Sequence, residues 1–147
     1  VLQTIILPLK SNVYTSKQND FINQLNTRFM NSILGLGKYL FAIPFAVFGI
    51  RHFMYADAMA GWTPGGAPMV YVSGVALIAA AASMLLGKYD KLATVLLAVM
   101  LLVFVGFLHV PAAMKGDWTN LLKDLSLAGA ALMYAKTSAK DSSIIGE

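Results

Sequence analysis

Residues 92–110 read LATVLLAVMLLVFVGFLHV, and their single ionisable side chain is His109, two positions ahead of Pro111. A hydrocarbon core about 30 Å thick is crossed by about 20 mainly apolar residues, each rising about 1.5 Å along a helix. By length and by composition this stretch reads as a membrane-spanning helix. Three neighbouring stretches read the same way. Residues 69–86 are uncharged and dense in small side chains, among them Ser73, Gly74, Ala76, Ala79, Ala80 and Ser83, which in lipid let helix backbones approach closely. Residues 33–50 hold Lys38 near one end, where a long side chain reaches the interface, and Pro44, where a kink is expected. Residues 121–135 are the weakest, with Lys123 and Asp124 in the first turn, and starting the helix at Trp118 restores a spanning length. The expected fold class is all-α: a polytopic membrane protein, with residues 32–137 forming an antiparallel bundle of four transmembrane helices.

The composition of the whole chain agrees. Of its 147 residues 58% are hydrophobic and 12% charged, against roughly 45–50% and about 25% in a soluble domain, and mean hydropathy is +0.67. Four such helices leave no length for a soluble catalytic domain, so any chemistry belongs inside the bundle or at its rim. The absence of cysteine excludes disulfides, thiolate nucleophiles, iron–sulfur clusters and thiolate zinc sites. The net charge of +4 is scattered over helix ends and never forms a basic run interleaved with aromatics. The expected partner is the lipid bilayer, together with another membrane protein or further copies of the chain, and not nucleic acid.

Residues 1–31 stand apart as a polar N-terminal extension, cytoplasmic or partly disordered. Its apolar patch Ile5, Ile6 and Leu7 is too short to span and lacks the features of a secretory signal. Met30, followed by Asn31 and Ser32, makes a natural start, so the segment reads either as an upstream extension or as a surface-lying segment. Residues 138–147 form a polar C-terminal tail. Gly61, Pro64, Gly65, Gly66 and Pro68 mark a long loop after the first helix, and Lys88, Tyr89, Asp90 and Lys91 a tight turn between the second and third.

Lysine and arginine set the orientation. Lys10, Lys17, Arg28, Lys38, Lys88, Lys91, Lys136 and Lys140 fall on the side of the N-terminus, and only Arg51, Lys115 and Lys123 on the other. The positive-inside rule then puts both termini in the cytoplasm and places Trp62 and Trp118 at the outer interface, in an aromatic belt.

With that topology Arg51, His52, His109 and Asp124 gather near the outer rim. Ionisable groups at membrane depth are costly and are usually paired or functional, so these four, with Trp62 and Trp118, are the candidate ligand-binding residues. Asp124 is expected to pair with Arg51 if the first and fourth helices are neighbours. Plainer roles stay open: Arg51 and His52 as an interfacial stop, Asp124 as a helix-start charge, and His109 as an imidazole satisfied at a helix end broken by proline. Two histidines without a spacing motif do not make a metal or haem site, so no metal and no intrinsic cofactor is expected, and no residue is assigned a catalytic role.

The run Phe48-Gly49-Ile50-Arg51-His52-Phe53, the Trp62-Thr63-Pro64 loop, Tyr71-Val72-Ser73-Gly74, Leu108-His109-Val110-Pro111 and Lys123-Asp124-Leu125-Ser126 together resemble the DoxX-like family. The resemblance covers about residues 32–137. It implies a four-helix bacterial inner-membrane protein, whose founding members are associated with a thiosulfate:quinone oxidoreductase or a terminal quinol oxidase. The function expected from it is an accessory or redox-linked subunit whose outer-leaflet polar pocket binds a quinone or similar lipophilic ligand. Any catalysis would then belong to a quinone-linked oxidoreductase complex. The competing expectation is a non-enzymatic structural or assembly subunit that docks on a partner through small residues such as Gly74 and Ala80.

Overall fold

In a computed structural model of the chain, the backbone of residues 2–146 and the side chains of residues 15–146 are described. The Ile5, Ile6 and Leu7 patch lies outside the described side chains. Every regular element among the described residues is helical: α1 (Leu2–Met54), α2 (Ala56–Ala60), α3 (Gly66–Leu86), α4 (Asp90–Phe104), a π-helical turn (Val105–His109), α5 (Val110–Ala113) and α6 (Thr119–Thr137). Three helical stretches are long and apolar enough to cross a membrane, namely Thr15–Met54, Gly66–Leu86 and Asp90–Ala113. The 19 residues of α6 are long enough, at about 1.5 Å each, to approach the thickness of a hydrocarbon core. However, they carry Lys123, Asp124 and Lys136.

The chain divides into two compact units, Val1–Gly37 and Lys38–Glu147. In the first, residues 15–37 of α1 are helical and exposed. Phe21, Leu25 and Phe29 recur at four-residue spacing, all exposed, and so form an apolar stripe along a helix otherwise rich in Asn, Gln and charge. The polar character of this segment was plain in the sequence. Its helical periodicity was hidden by the density of polar residues between the stripe positions.

In the second unit, residues 38–54 of α1 pack against α3 through two glycines. A Cβ built on Gly49 would lie 2.7 Å from the Gly74 carbonyl oxygen, and one on Gly74 would lie 3.1 Å from the Gly49 carbonyl oxygen. At the other end of this contact the Lys38 ammonium donates to the Leu85 carbonyl at 3.0 Å, closing one of the C-terminal carbonyls that a helix leaves open. Phe41 stacks on Tyr134 of α6, with centroids 6.2 Å apart, while α4 packs on both α3 and α6. The core between these helices is built from small and medium side chains, including Ala42, Phe45, Leu77, Ala81, Met84, Ala98, Leu101, Ala128 and Ala131. Gly74 and Ala80 are both buried within this unit, Gly74 close to Gly49, His52 and Phe53 of α1.

The turn joining α3 to α4 depends on left-handed backbone. Gly87 (φ 68°) ends α3, donating its N–H to the Ser83 carbonyl, and Tyr89 (φ 52°) precedes α4. Glycine tolerates that conformation without steric cost, and tyrosine does not. Tyr89 is held there by a side-chain acceptor, because its N–H donates to Asp141 Oδ2 at 2.9 Å.

The C-terminal tail is tied down reciprocally. The Asp90 carboxylate, fully buried, accepts the backbone N–H of Lys140 at 3.0 Å and of Asp141 at 2.9 Å, and the Tyr134 hydroxyl at 3.4 Å. The side chain of Asp141 returns the contact through Tyr89. Hydrogen bonds from Ser143 and from the Tyr89 N–H, with Lys88 nearby, hold the Asp141 carboxyl below the ordinary 3.8 of an aspartate. A carboxyl whose pKa is depressed on folding contributes stability that is fully present above the unfolded value and is lost as pH falls through the folded one. Hydrogen-exchange protection of the Tyr89 and Ser143 amides is therefore expected to hold at neutral pH and to fall below pH 3.8. Asp141→Asn should weaken that protection at neutral pH and flatten its acid dependence; an unchanged profile in the variant would contradict the assignment.

Candidate functional site

Asp124 lies in the second turn of α6 and is 5% exposed. A lone carboxylate so placed costs several kcal/mol, and two partners offset that cost. The His109 Nε2–H donates to Asp124 Oδ2 at 2.8 Å, a tautomer fixed by the fact that the carboxylate only accepts. The Lys123 ammonium lies 3.4 Å from Asp124 Oδ1. Lys123 also donates to Asn120 Oδ1 at 3.1 Å and sits 5.5 Å from the Phe48 ring centroid, a cation–π arrangement that links α6 to α1. The result is a short polar chain from exposed Lys123 through nearly buried Asp124 to His109.

His109 reaches this position at the close of the π-helical turn. In an uninterrupted α-helix the Pro111 ring would clash with the Phe107 carbonyl four residues earlier. The wider turn, in which the Val110 N–H bonds to the Val105 carbonyl, relieves the clash and lets the chain continue helically to Ala113. The sequence suggested a helix broken at Pro111; the structure absorbs the proline instead. Such π-helical insertions occur frequently at functional sites.

The remaining candidates have local partners. Arg51 does not meet Asp124 in the expected ion pair. Its guanidinium carbon lies 5.2 Å from the centroid of the Tyr55 ring one turn on, and His109 and Lys123 take the Asp124 oxygens. His52 Nδ1 donates to the Phe48 carbonyl at 2.7 Å, and its Cβ borders the Gly49–Gly74 approach. Trp62 Nε1 donates to the Ala58 carbonyl at 2.6 Å, and Trp118 immediately precedes α6. Both indoles are exposed. They occupy the loops opposite the Gly87–Tyr89 turn, at the end where α3 and α6 begin.

Sequence reasoning missed Asp90, Tyr134 and Asp141, the groups that fasten the tail. In sequence Asp90 reads as a turn residue, and an aspartate in a first helical turn is common for dipole reasons alone. A cavity of about 460 Å³ lies between α3 and α4 and is lined by none of the six candidate residues. No family model, no curated protein and no solved structure matches the chain.

Proposed function

We propose that the chain is a four-span membrane protein of DoxX-like type that serves as an accessory subunit to quinone-linked redox chemistry. His109 and Asp124 would receive a quinone headgroup at the outer end of the bundle. The single observation that carries this reading is the 2.8 Å contact between His109 and the nearly buried Asp124. With Nε2–H given to Asp124, Nδ1 of a neutral ring accepts a hydrogen bond, and in an imidazolium it donates one. Nδ1, the ring atom turned away from Asp124, is then the one placed to meet a carbonyl or hydroxyl headgroup. Apolar pockets with a few polar anchors are the usual design for lipophilic ligands.

The fourth span in this reading is α6. Its charges resist a hydropathy criterion, but the least tolerable of them, Asp124, turns inward to His109, and Lys136 lies in the last turn, where a lysine snorkels. A bacterial cytoplasmic membrane, with both termini inside, follows from the lysine distribution and the resemblance. Because the chain has no cysteine, electrons would be carried by a partner that holds its own cofactor.

The test is binding of a short-chain ubiquinone or menaquinone analogue to the purified full-length chain, read by quenching of Trp62 and Trp118 fluorescence. Charged hydrogen bonds are worth about 1.5–3 kcal/mol, so His109→Gln and Asp124→Asn should each weaken binding at least about tenfold, with helix content unchanged. Arg51→Gln, at a residue that makes no ion pair with Asp124, should have the smaller effect. No saturable quenching by either quinone, or equal affinity in all variants, would remove the proposal.

A further inference from the structure

The cavity of about 460 Å³ lies toward the Gly87–Tyr89 turn, away from His109. Its walls are Ala76, Ala79 and Ser83 of α3 and Leu92 and Leu96 of α4, with Ile144 of the tail closing one side. It exists because α3 presents only small side chains here, while Leu92 and Leu96 stand up opposite. Ala79 and Leu96 are exposed, so the groove opens outward along the helices, toward whatever surrounds them.

Its mouth is basic. Lys88 and Lys91 flank Tyr89 and Leu92, which line the cavity. The Lys91 ammonium donates to the Gly146 carbonyl, two residues beyond Ile144. Lys140 lays its side chain across Gly87, with its Cδ 3.3 Å from the position of a Cβ there. The neighbouring acids do not cancel these charges equally. Asp90 is fully buried, its oxygens filled by the Lys140 and Asp141 amides and the Tyr134 hydroxyl. Asp141 remains as the nearby acid, engaged by the N–H groups of Tyr89 and Ser143 and with Lys88 close to it.

We propose that this groove is a binding site for an anionic phospholipid, with one acyl chain lying between α3 and α4 and the phosphate held by Lys88 and Lys91. An apolar furrow capped by lysines matches an acyl chain joined to an anion, and basic pockets between membrane helices on the cytoplasmic side recognise such headgroups. A zwitterionic phospholipid fills the furrow equally well, but its cationic headgroup offsets what its phosphate gains from the lysines. A helix from a second, parallel copy would bring its own lysines to the same depth, and like charges would oppose it.

The site is tested by native mass spectrometry of the full-length chain released from micelles with equal phosphatidylglycerol and phosphatidylcholine. Each lysine near a membrane surface favours an anionic lipid by about 1 kcal/mol, or about fivefold. Phosphatidylglycerol should therefore be retained more than tenfold over phosphatidylcholine, and Lys88→Gln or Lys91→Gln should each cut that ratio about fivefold, with Lys88→Arg retaining it. Ala79→Phe, an exposed position that leaves the core intact, should fill the furrow and abolish retention with every lysine in place. Equal retention of the two lipids overturns the proposal. So does a preference that survives Ala79→Phe, which would place the lipid on surface lysines alone.

Discussion

Asp90→Ala is expected to free the C-terminal tail and to lower the stability of the Lys38–Glu147 unit by about 2–4 kcal/mol, leaving the helices formed. The magnitude follows from what the carboxylate holds. A buried donor left without its acceptor costs about 1–3 kcal/mol, and Asp90 accepts two backbone amides and one hydroxyl. The amides of Lys140 and Asp141 have an escape, because a detached tail gives them to water. That caps the loss below the sum of the separate penalties. Tyr134 has no such escape, being itself buried in the core, with only the Met84 carbonyl at 3.4 Å as a remaining acceptor. Asp90→Asn should recover little, since both carboxylate oxygens receive N–H donors and an amide nitrogen would confront one of them. The checks are urea unfolding in detergent, for the stability change, and limited proteolysis, for tail release. Wild-type protease resistance of residues 138–146 in Asp90→Ala would show that the tail is held by something else.

This fastening also shows where reading the sequence stopped. The apolar stretches around 69–86 and 92–110 announce themselves because membrane-spanning length is a one-dimensional property, and helices α3 and α4 with its continuation follow them closely. The polar pair was half legible. His109 and Asp124 stood out as ionisable groups amid apolar sequence, but the choice of His109 over Arg51 as partner is made in three dimensions, by a π-helical turn that accommodates Pro111. The tail was not legible at all. The donors to Asp90 are main-chain amides 50 and 51 residues away, and a backbone N–H carries no signature in sequence. The groove is a similar case, since it is defined by what α3 lacks opposite Leu92 and Leu96.

Gly49→Leu is expected to destabilise the second unit by about 3 kcal/mol or more, at the upper end of what overpacking costs, and to separate α1 from α3. The reason lies in which atoms stand in the way. A Cβ at Gly49 would meet Ile78 Cγ1 at 2.5 Å and the Gly74 carbonyl oxygen at 2.7 Å. The isoleucine side chain can turn aside, but the carbonyl belongs to the α3 backbone and yields only if the helix moves. Even Gly49→Ala should therefore destabilise, although alanine is the better helix former by about 1 kcal/mol. Gly129 in α6 supplies the contrast, because nothing lies within 4 Å of a Cβ there, so Gly129→Ala should be neutral or gain up to about 1 kcal/mol. The same pair of variants, measured by thermal unfolding in one detergent, separates close packing from intrinsic helix propensity. If alanine at Gly49 stabilises as much as alanine at Gly129, the two backbones do not touch and the apposition of α1 and α3 is wrong. Opposite signs would instead tie Gly74 of α3 to its packing against α1.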